Sequence, residues 1–281
     1  MATLAATGQP EKHAPFMPLP EGFKHAEWNN LDSFEEAIDQ TTGAILVEPI
    51  QGEAGIIIPD KEWLPEVRKI CTANKMLLIL DEIQSGLGRT GEMFAFEHSS
   101  IRPDGLILGK ALGGGLLPIS CFISTSEVMQ WFAPGSHGST FGGYPLAAAI
   151  GRRSLELIEE EGLVENSNKQ GTYFLEELKK IESPILKEIR GKGLWIGVEI
   201  NTKIIDGRSI CKLLLKKGIL SKETHESTIR FAPPLIIEKK EIDWAVQTFK
   251  ETLKEIEQGS VSYTHLRAHE TEADLVCRGG G

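Results

Sequence analysis

The chain has 281 residues, of which 41% are hydrophobic and 25% charged, and its formal net charge is −10. That length suffices for about two domains with sizeable cores, and the acidic balance argues against a nonspecific nucleic-acid surface. No apolar run approaches a membrane span, the first residues lack the pattern of a secretory signal, and Cys71, Cys121, Cys211 and Cys277 form no CxxC pair that would mark a disulfide framework or a zinc knuckle. A cytoplasmic protein without nucleic-acid, membrane or metal partners is expected.

Residues 1–30 contain Pro10, Pro15, Pro18 and Pro20 and no long amphipathic repeat, which predicts a surface connection. A short helix is predicted over residues 32–40, with Asp32 or Ser33 available near its start. Residues 44–47 form an apolar strand that ends at Glu48 and Pro49. Its lack of polar alternation suits a sheet covered on both faces. Residues 51–55 are a turn containing Glu53, and 56–58 are a short strand or an apolar lid. Trp63, Val67, Ile70 and Cys71 recur at helical spacing over 62–74, and a strand follows at 76–80. Strand, helix, strand predicts a parallel α/β sheet, which 105–108 and 119–123 extend.

A short helix over 127–132 and a turn cluster at 134–143 lead into a long helix at 146–161. A helix at 168–181, a glycine-rich bend at 191–193 and a strand at 194–199 come next. A helix at 210–217, an extended segment at 228–231 and a helix at 241–256 complete a second, α+β domain. Boundaries are expected at 1–150, 151–258 and 259–281. The last stretch, from SVSYTHLRAHET onward, loses the preceding organisation. It reads as a disordered tail or as translated sequencing-adapter sequence, and its His265, His269 and Cys277 make no metal set.

Two apolar runs deliver an ionisable residue at their carboxyl ends: Asp81 after 76–80 and Lys110 after 106–109. Because α/β sheets place ligands beyond strand ends, the pair marks a candidate site. A buried structural Asp followed by a surface Lys leaves the same pattern. Ser139 and Thr140, in HGSTFGG, offer successive donors and hydroxyls to a phosphate. The same loop also reads as a glycine-rich turn capped by polar side chains.

GAILVEPIQGEAG, LILDEIQSGLGRTG, LGKALGGGLLPIS, PGSHGSTFGG and TIRFAPPLI together resemble fold-type I, class-III aminotransferases, enzymes that use pyridoxal 5'-phosphate. IRGKGLWIGVEI and KETHESTIRFAPPL are most similar to the ornithine-to-oxoacid branch, while the acetylornithine and other ω-amine branches share the shorter motifs. The resemblance spans about residues 3–258. It implies that Lys110 holds the cofactor covalently and moves the substrate proton, and that Asp81 pairs with the ring nitrogen. It places Ile83 on a ring face and Gln84 beside the ring oxygen. It also implies that Thr140, with Ser139 beside it, reaches the cofactor phosphate of a neighbouring subunit, hence a homodimer.

By the same resemblance Arg230 receives a substrate carboxylate through its two-pronged guanidinium. Glu53 would pair with Arg230 while ornithine presents its distal amine, and would release it for glutamate or 2-oxoglutarate. The implied reaction moves the amino group of ornithine to 2-oxoglutarate, giving glutamate semialdehyde and glutamate. Family members begin far upstream of the stretch matching Met1. The chain is therefore expected to be a C-terminal portion, with a partial cofactor-binding large domain at 1–150, a small domain at 151–258 and impaired turnover. A catalytically silent interaction fragment is the alternative class.

Overall fold

Residues 1–259 are described by the computed structural model, so all of the expected tail except Gly259 lies outside the described residues. Two units interleave along the chain. The first comprises Met1–Pro49, Pro59–Gln84 and Ala95–Arg152; the second comprises Ile50–Ile58, Ser85–Phe94 and the chain from Arg153 onward. Two short segments that precede residue 150 thus belong to the later unit.

The first unit begins with two short helices, α1 (Ala2–Ala6) and α2 (Pro10–His13), in the stretch expected to be a plain connection. Helix α3 (Leu31–Ala37) is capped by Asn30, whose side chain accepts the Ser33 N–H. Asp32 and Ser33 lie inside the first turn, and the Ser33 hydroxyl instead accepts the Glu27 N–H at 2.9 Å. Strand β1 (Ala44–Val47), helix α4 (Trp63–Ala73), and strands β2 (Leu77–Asp81), β3 (Gly105–Leu108) and β4 (Cys121–Ser124) follow. The strand order is β1-β2-β3-β4.

The first three strands are parallel, whereas β4 runs antiparallel to β3. The fully parallel sheet predicted from strand–helix–strand therefore stops at β3. The 109–120 connection holds one 3-10 turn, Lys110–Gly113, and not the helical crossover that a parallel neighbour requires. Helix α5 (Ser126–Met129) comes next, and α6 (Pro145–Glu160) runs out of this unit into the second.

Ile45, Val47, Leu78, Leu80 and Leu106 share one face of this sheet and are buried. Helix α4 buries Trp63, Leu64, Val67 and Cys71 on its apolar stripe and packs on β2. Trp63 meets the Phe34 ring of α3 edge-on at 5.7 Å and lies 5.0 Å from Trp28. The opposite face carries Leu46, Ile79, Ile107 and Phe122, which line an open trough bordered by Trp131. Leu46 there is 47% exposed and Trp131 84%. The expectation of a sheet covered on both faces is not met among the described residues. An unbroken apolar run reports that both faces suit burial, but says nothing of what lies over them.

The second unit contains α7 (Leu163–Lys179), β5 (Leu186–Lys192), β6 (Trp195–Ile200), α8 (Gly207–Lys216), β7 (Lys222–Thr224), β8 (Thr228–Phe231) and α9 (Lys239–Glu257). Its sheet has the order β5-β6-β8-β7, and every pairing is antiparallel. Strand alternation sorts the residues. Ile196, Val198, Ile200, Ile229 and Phe231 join Phe174, Leu178, Leu214, Phe249 and Leu253 of the helices in one core. The Phe231 ring lies 5.7 Å from Phe174 and 5.5 Å from Phe249. Arg190, Gly197, Glu199, Thr228 and Arg230 occupy the other face of the register. Among the described residues, no helix is long and apolar enough to cross a membrane.

Candidate functional site

In the first unit, β2 and β3 lie side by side and parallel, with Asp81 in register with Ile107. Asp81 therefore closes β2, while β3 ends one residue past that register at Leu108, two residues before Lys110. The Asp81 Oδ1 accepts the Ile83 N–H at 3.0 Å, a local turn that orients the carboxylate. Lys110 is exposed and opens the 3-10 turn with a left-handed φ of 43°. A side chain at Gly109 would meet Ile83 Cγ2 at 3.3 Å, so Ile83 lies against the chain that delivers Lys110. Gln84 follows, half-buried. Asp81, Ile83 and the root of Lys110 are thus gathered at one carboxyl edge.

Glu82, which the sequence reading passed over, is 1% exposed. Its two oxygens accept the N–H groups of Ala95 at 2.6 Å and Phe96 at 2.9 Å, and its own N–H donates to Ile107 O at 2.9 Å. Burial pushes its carboxyl up to about 7, against the pull of those two backbone donors. The only signal for it in the sequence was an acid adjacent to Asp81. Ser139 and Thr140 are exposed, and the Ser139 hydroxyl accepts the Gly142 N–H at 3.0 Å within its own turn.

The second unit brings Glu53 and Arg230 together. Arg230 on β8 is 8% exposed, and its Nη1 lies 2.8 Å from Glu53 Oε1 and 3.3 Å from Gly52 O. The turn that carries Glu53 is closed by Gln51 and Ile57, which exchange two backbone hydrogen bonds of 3.0 Å. Ile50 and Ile56 pack with Trp195 beneath it. Burial pushes the neighbouring Glu199 carboxyl up, but hydrogen bonds from Thr228, Ser227 and Arg190 outweigh this and leave it below the usual carboxylate range. A buried guanidinium facing an acid at the rim has the donor geometry to hold a carboxylate.

Arg89, in the GLGRTG motif, was also missed. It donates from Nη1 to Leu194 O at 2.9 Å and to Pro233 O at 2.6 Å, and burial pushes its guanidinium down to about 10. This motif thus ties main chain together inside the second unit. Nothing in the residue spacing announced that role.

Comparison with known proteins bears on the family and the fold. The family described as Aminotransferase class-III matches residues 1–253. The chain is 51% identical over 250 residues to the ornithine aminotransferase of Staphylococcus carnosus, covering 89% of this chain and 62% of that protein. It is 49% identical over 238 residues to that of Brevibacillus brevis, covering 85% and 59%. Its fold matches the ornithine aminotransferase structure from Toxoplasma gondii with a TM-score of 0.88 and 36% identity, over 91% of this chain and 61% of that one. The likeness extends to fold-type I architecture, a large α/β domain with a smaller, strand-rich C-terminal one. The chain spans about three fifths of the length of the curated relatives it matches.

Proposed function

This chain belongs to the class-III aminotransferases, and we propose that it contributes the lysine-bearing part of an enzyme that moves the distal amino group of ornithine to 2-oxoglutarate. The observation that carries the substrate reading is the Arg230–Glu53 pair, a buried cation held by an acid that is 53% exposed. An ion pair open to solvent contributes about 0–1 kcal/mol. A dicarboxylate that is also held at its other end can therefore take the place of Glu53 on Arg230. With ornithine, Glu53 stays on Arg230 and leaves the distal amine as the group presented for reaction.

The residues at the other centre fit pyridoxal 5'-phosphate by their donor chemistry: a fixed carboxylate, an exposed lysine amine and an aliphatic side chain at one strand edge. When bound, that cofactor supplies an electron-poor ring that accepts the electron pair left on carbon as a proton departs. Lys110 would hold its aldehyde carbon and, once released, carry the proton from the amine-bearing carbon. Asp81 would keep a proton on the ring nitrogen, where a poorly solvated edge strengthens the charge pair. Ile83 would cover one ring face and Gln84 would bond the ring oxygen. Ser139 and Thr140 would bind the phosphate of the neighbouring subunit's cofactor in a homodimer.

A donor panel tests the reading, with ornithine and N-acetylornithine offered to the chain in the presence of cofactor and 2-oxoglutarate. Slow glutamate formation, faster from ornithine than from N-acetylornithine, is expected. The reverse preference would assign the acetylornithine branch, and a folded chain inert to both would make it a silent fragment.

A further inference from the structure

The turn that carries Glu53 lies on the polar face of the β5-β6-β8-β7 sheet, and side chains from three strands grip its backbone. Arg190 of β5 donates from Nε to Gly55 O at 3.1 Å and to Ile56 O at 3.2 Å, and from Nη2 to Gly55 O at 2.8 Å. Thr224 of β7 donates from Oγ1 to Glu53 O at 2.5 Å. Arg230 of β8 donates to Gly52 O. The carbonyls of Gly52, Glu53, Gly55 and Ile56 are therefore each held from below.

The Arg190 fork is itself held in place. Its Nη1 lies 3.0 Å from Glu188 Oε2 and its Nη2 3.2 Å from Glu199 Oε2, and Glu199 also accepts Thr228 Oγ1 at 2.5 Å. Glycine makes the approach feasible. A side chain at Gly197, directly under the turn, would meet Gly55 O at 2.7 Å. Gly55 has φ +113°, and a side chain there would meet Thr228 Oγ1 at 2.9 Å. A planar guanidinium can span two successive carbonyls, whereas a lysine amine is a single point charge.

We propose that Arg190 and Thr224 are positioning residues that lock the backbone of this turn, so that rotation of the Glu53 side chain alone decides whether Arg230 is open to a carboxylate. The consequence for substrates rests on the carboxylate-gate reading above; the clamp stands on its own geometry. Neither residue needs to touch the substrate. Loosening either one fails to deliver Glu53 to Arg230 and leaves the guanidinium more open.

The test uses the 281-residue chain, labelled with 15N, and glutarate as the probe. Amide exchange at Gly55, Ile56 and Ile57 reads the clamp, because these N–H groups bond within the turn. The shift of the Arg230 Nε–H signal on titration reads glutarate binding. In Arg190→Lys, exchange at the three amides is expected to quicken at least about tenfold while Val198 and Ile229 keep their protection. Glutarate is expected to bind about threefold tighter than to the unsubstituted chain, as in Glu53→Gln. Glu53→Gln itself should leave the turn amides protected, and Thr224→Val should move both readings the same way by less.

Unchanged turn protection in Arg190→Lys overturns the clamp. Lost protection with glutarate affinity unchanged or weaker, while Glu53→Gln binds tighter, overturns the positioning role. If Glu53→Gln leaves glutarate binding unchanged, the gate reading itself fails, and lost turn protection in Arg190→Lys identifies that case. Should Arg190→Lys also unprotect Val198 and Ile229, the milder Thr224→Val decides by the same two readings.

Discussion

Arg230 Nη1 and Glu53 Oε1 stand 2.8 Å apart, with the arginine side chain 8% exposed and the glutamate 53%. The burial is one-sided: the cation is fixed in the sheet and the acid is at the rim. Glu53→Gln is therefore expected to lower stability by no more than about 1 kcal/mol, a shift of a few degrees in thermal midpoint. Glutarate should bind this variant up to about fivefold more tightly, since the competing carboxylate is gone. Weaker binding of glutarate would count against the gate.

Glu82 gives the fold a pH signature. Its carboxyl is raised by burial from 4.5 to about 7, so between those values the folded chain binds a proton that the unfolded chain has released. Stability attributable to Glu82 is fully present below about pH 4.5 and declines as pH rises through 7, by up to about 3 kcal/mol. Urea unfolding from pH 5 to 8 should show this slope in the unsubstituted chain and a shallower one in Glu82→Gln. Equal slopes would show that Glu82 does not titrate in this window.

Two glycines separate a backbone clash from ordinary van der Waals contact. A Cβ at Gly171 on α7 would lie 2.0 Å from the carbonyl carbon of Gly193, where no side chain can yield. Gly171→Ala is expected to destabilise the chain by about 3 kcal/mol. Gly151 on α6 would meet its nearest neighbour at 3.6 Å, ordinary contact. Gly151→Ala is expected to stabilise by about 0.5–1 kcal/mol through helix propensity. Chemical denaturation of both variants checks the contrast, and similar effects from the two would refute it.

Strands β1 and β3 coincide with their predicted residues because each is a short apolar run ended by polar or turn-forming neighbours, and β8 coincides because TIRF alternates polar and apolar residues before Pro233. Strands β5 (LKEIRGK) and β7 (KET) escaped prediction for the opposite reason. They are edge strands rich in charge, which guards an edge against pairing but erases the alternating pattern. The reversal of β4 depends on how 109–120 turns back, and the strand residues carry no trace of direction. Among candidate site residues, Arg230 and Lys110 stood out through their motifs. Arg190 did not, since the carbonyls it holds lie 134 and 135 positions away in sequence and carbonyls leave no residue-type signature.

Lys110, delivered beside Asp81 at one sheet edge, is, on the proposed function, the attachment point for pyridoxal 5'-phosphate. Reductive trapping measures this most directly: the chain is incubated with the cofactor, reduced with borohydride, and mapped by peptide mass spectrometry. The cofactor mass is predicted on Lys110 in preference to exposed lysines such as Lys187 and Lys216. Lys110→Ala should abolish that label and leave the thermal midpoint nearly unchanged, because the Lys110 side chain is exposed. Labelling spread evenly over surface lysines, and unaltered by Lys110→Ala, would show that Lys110 is not the attachment point.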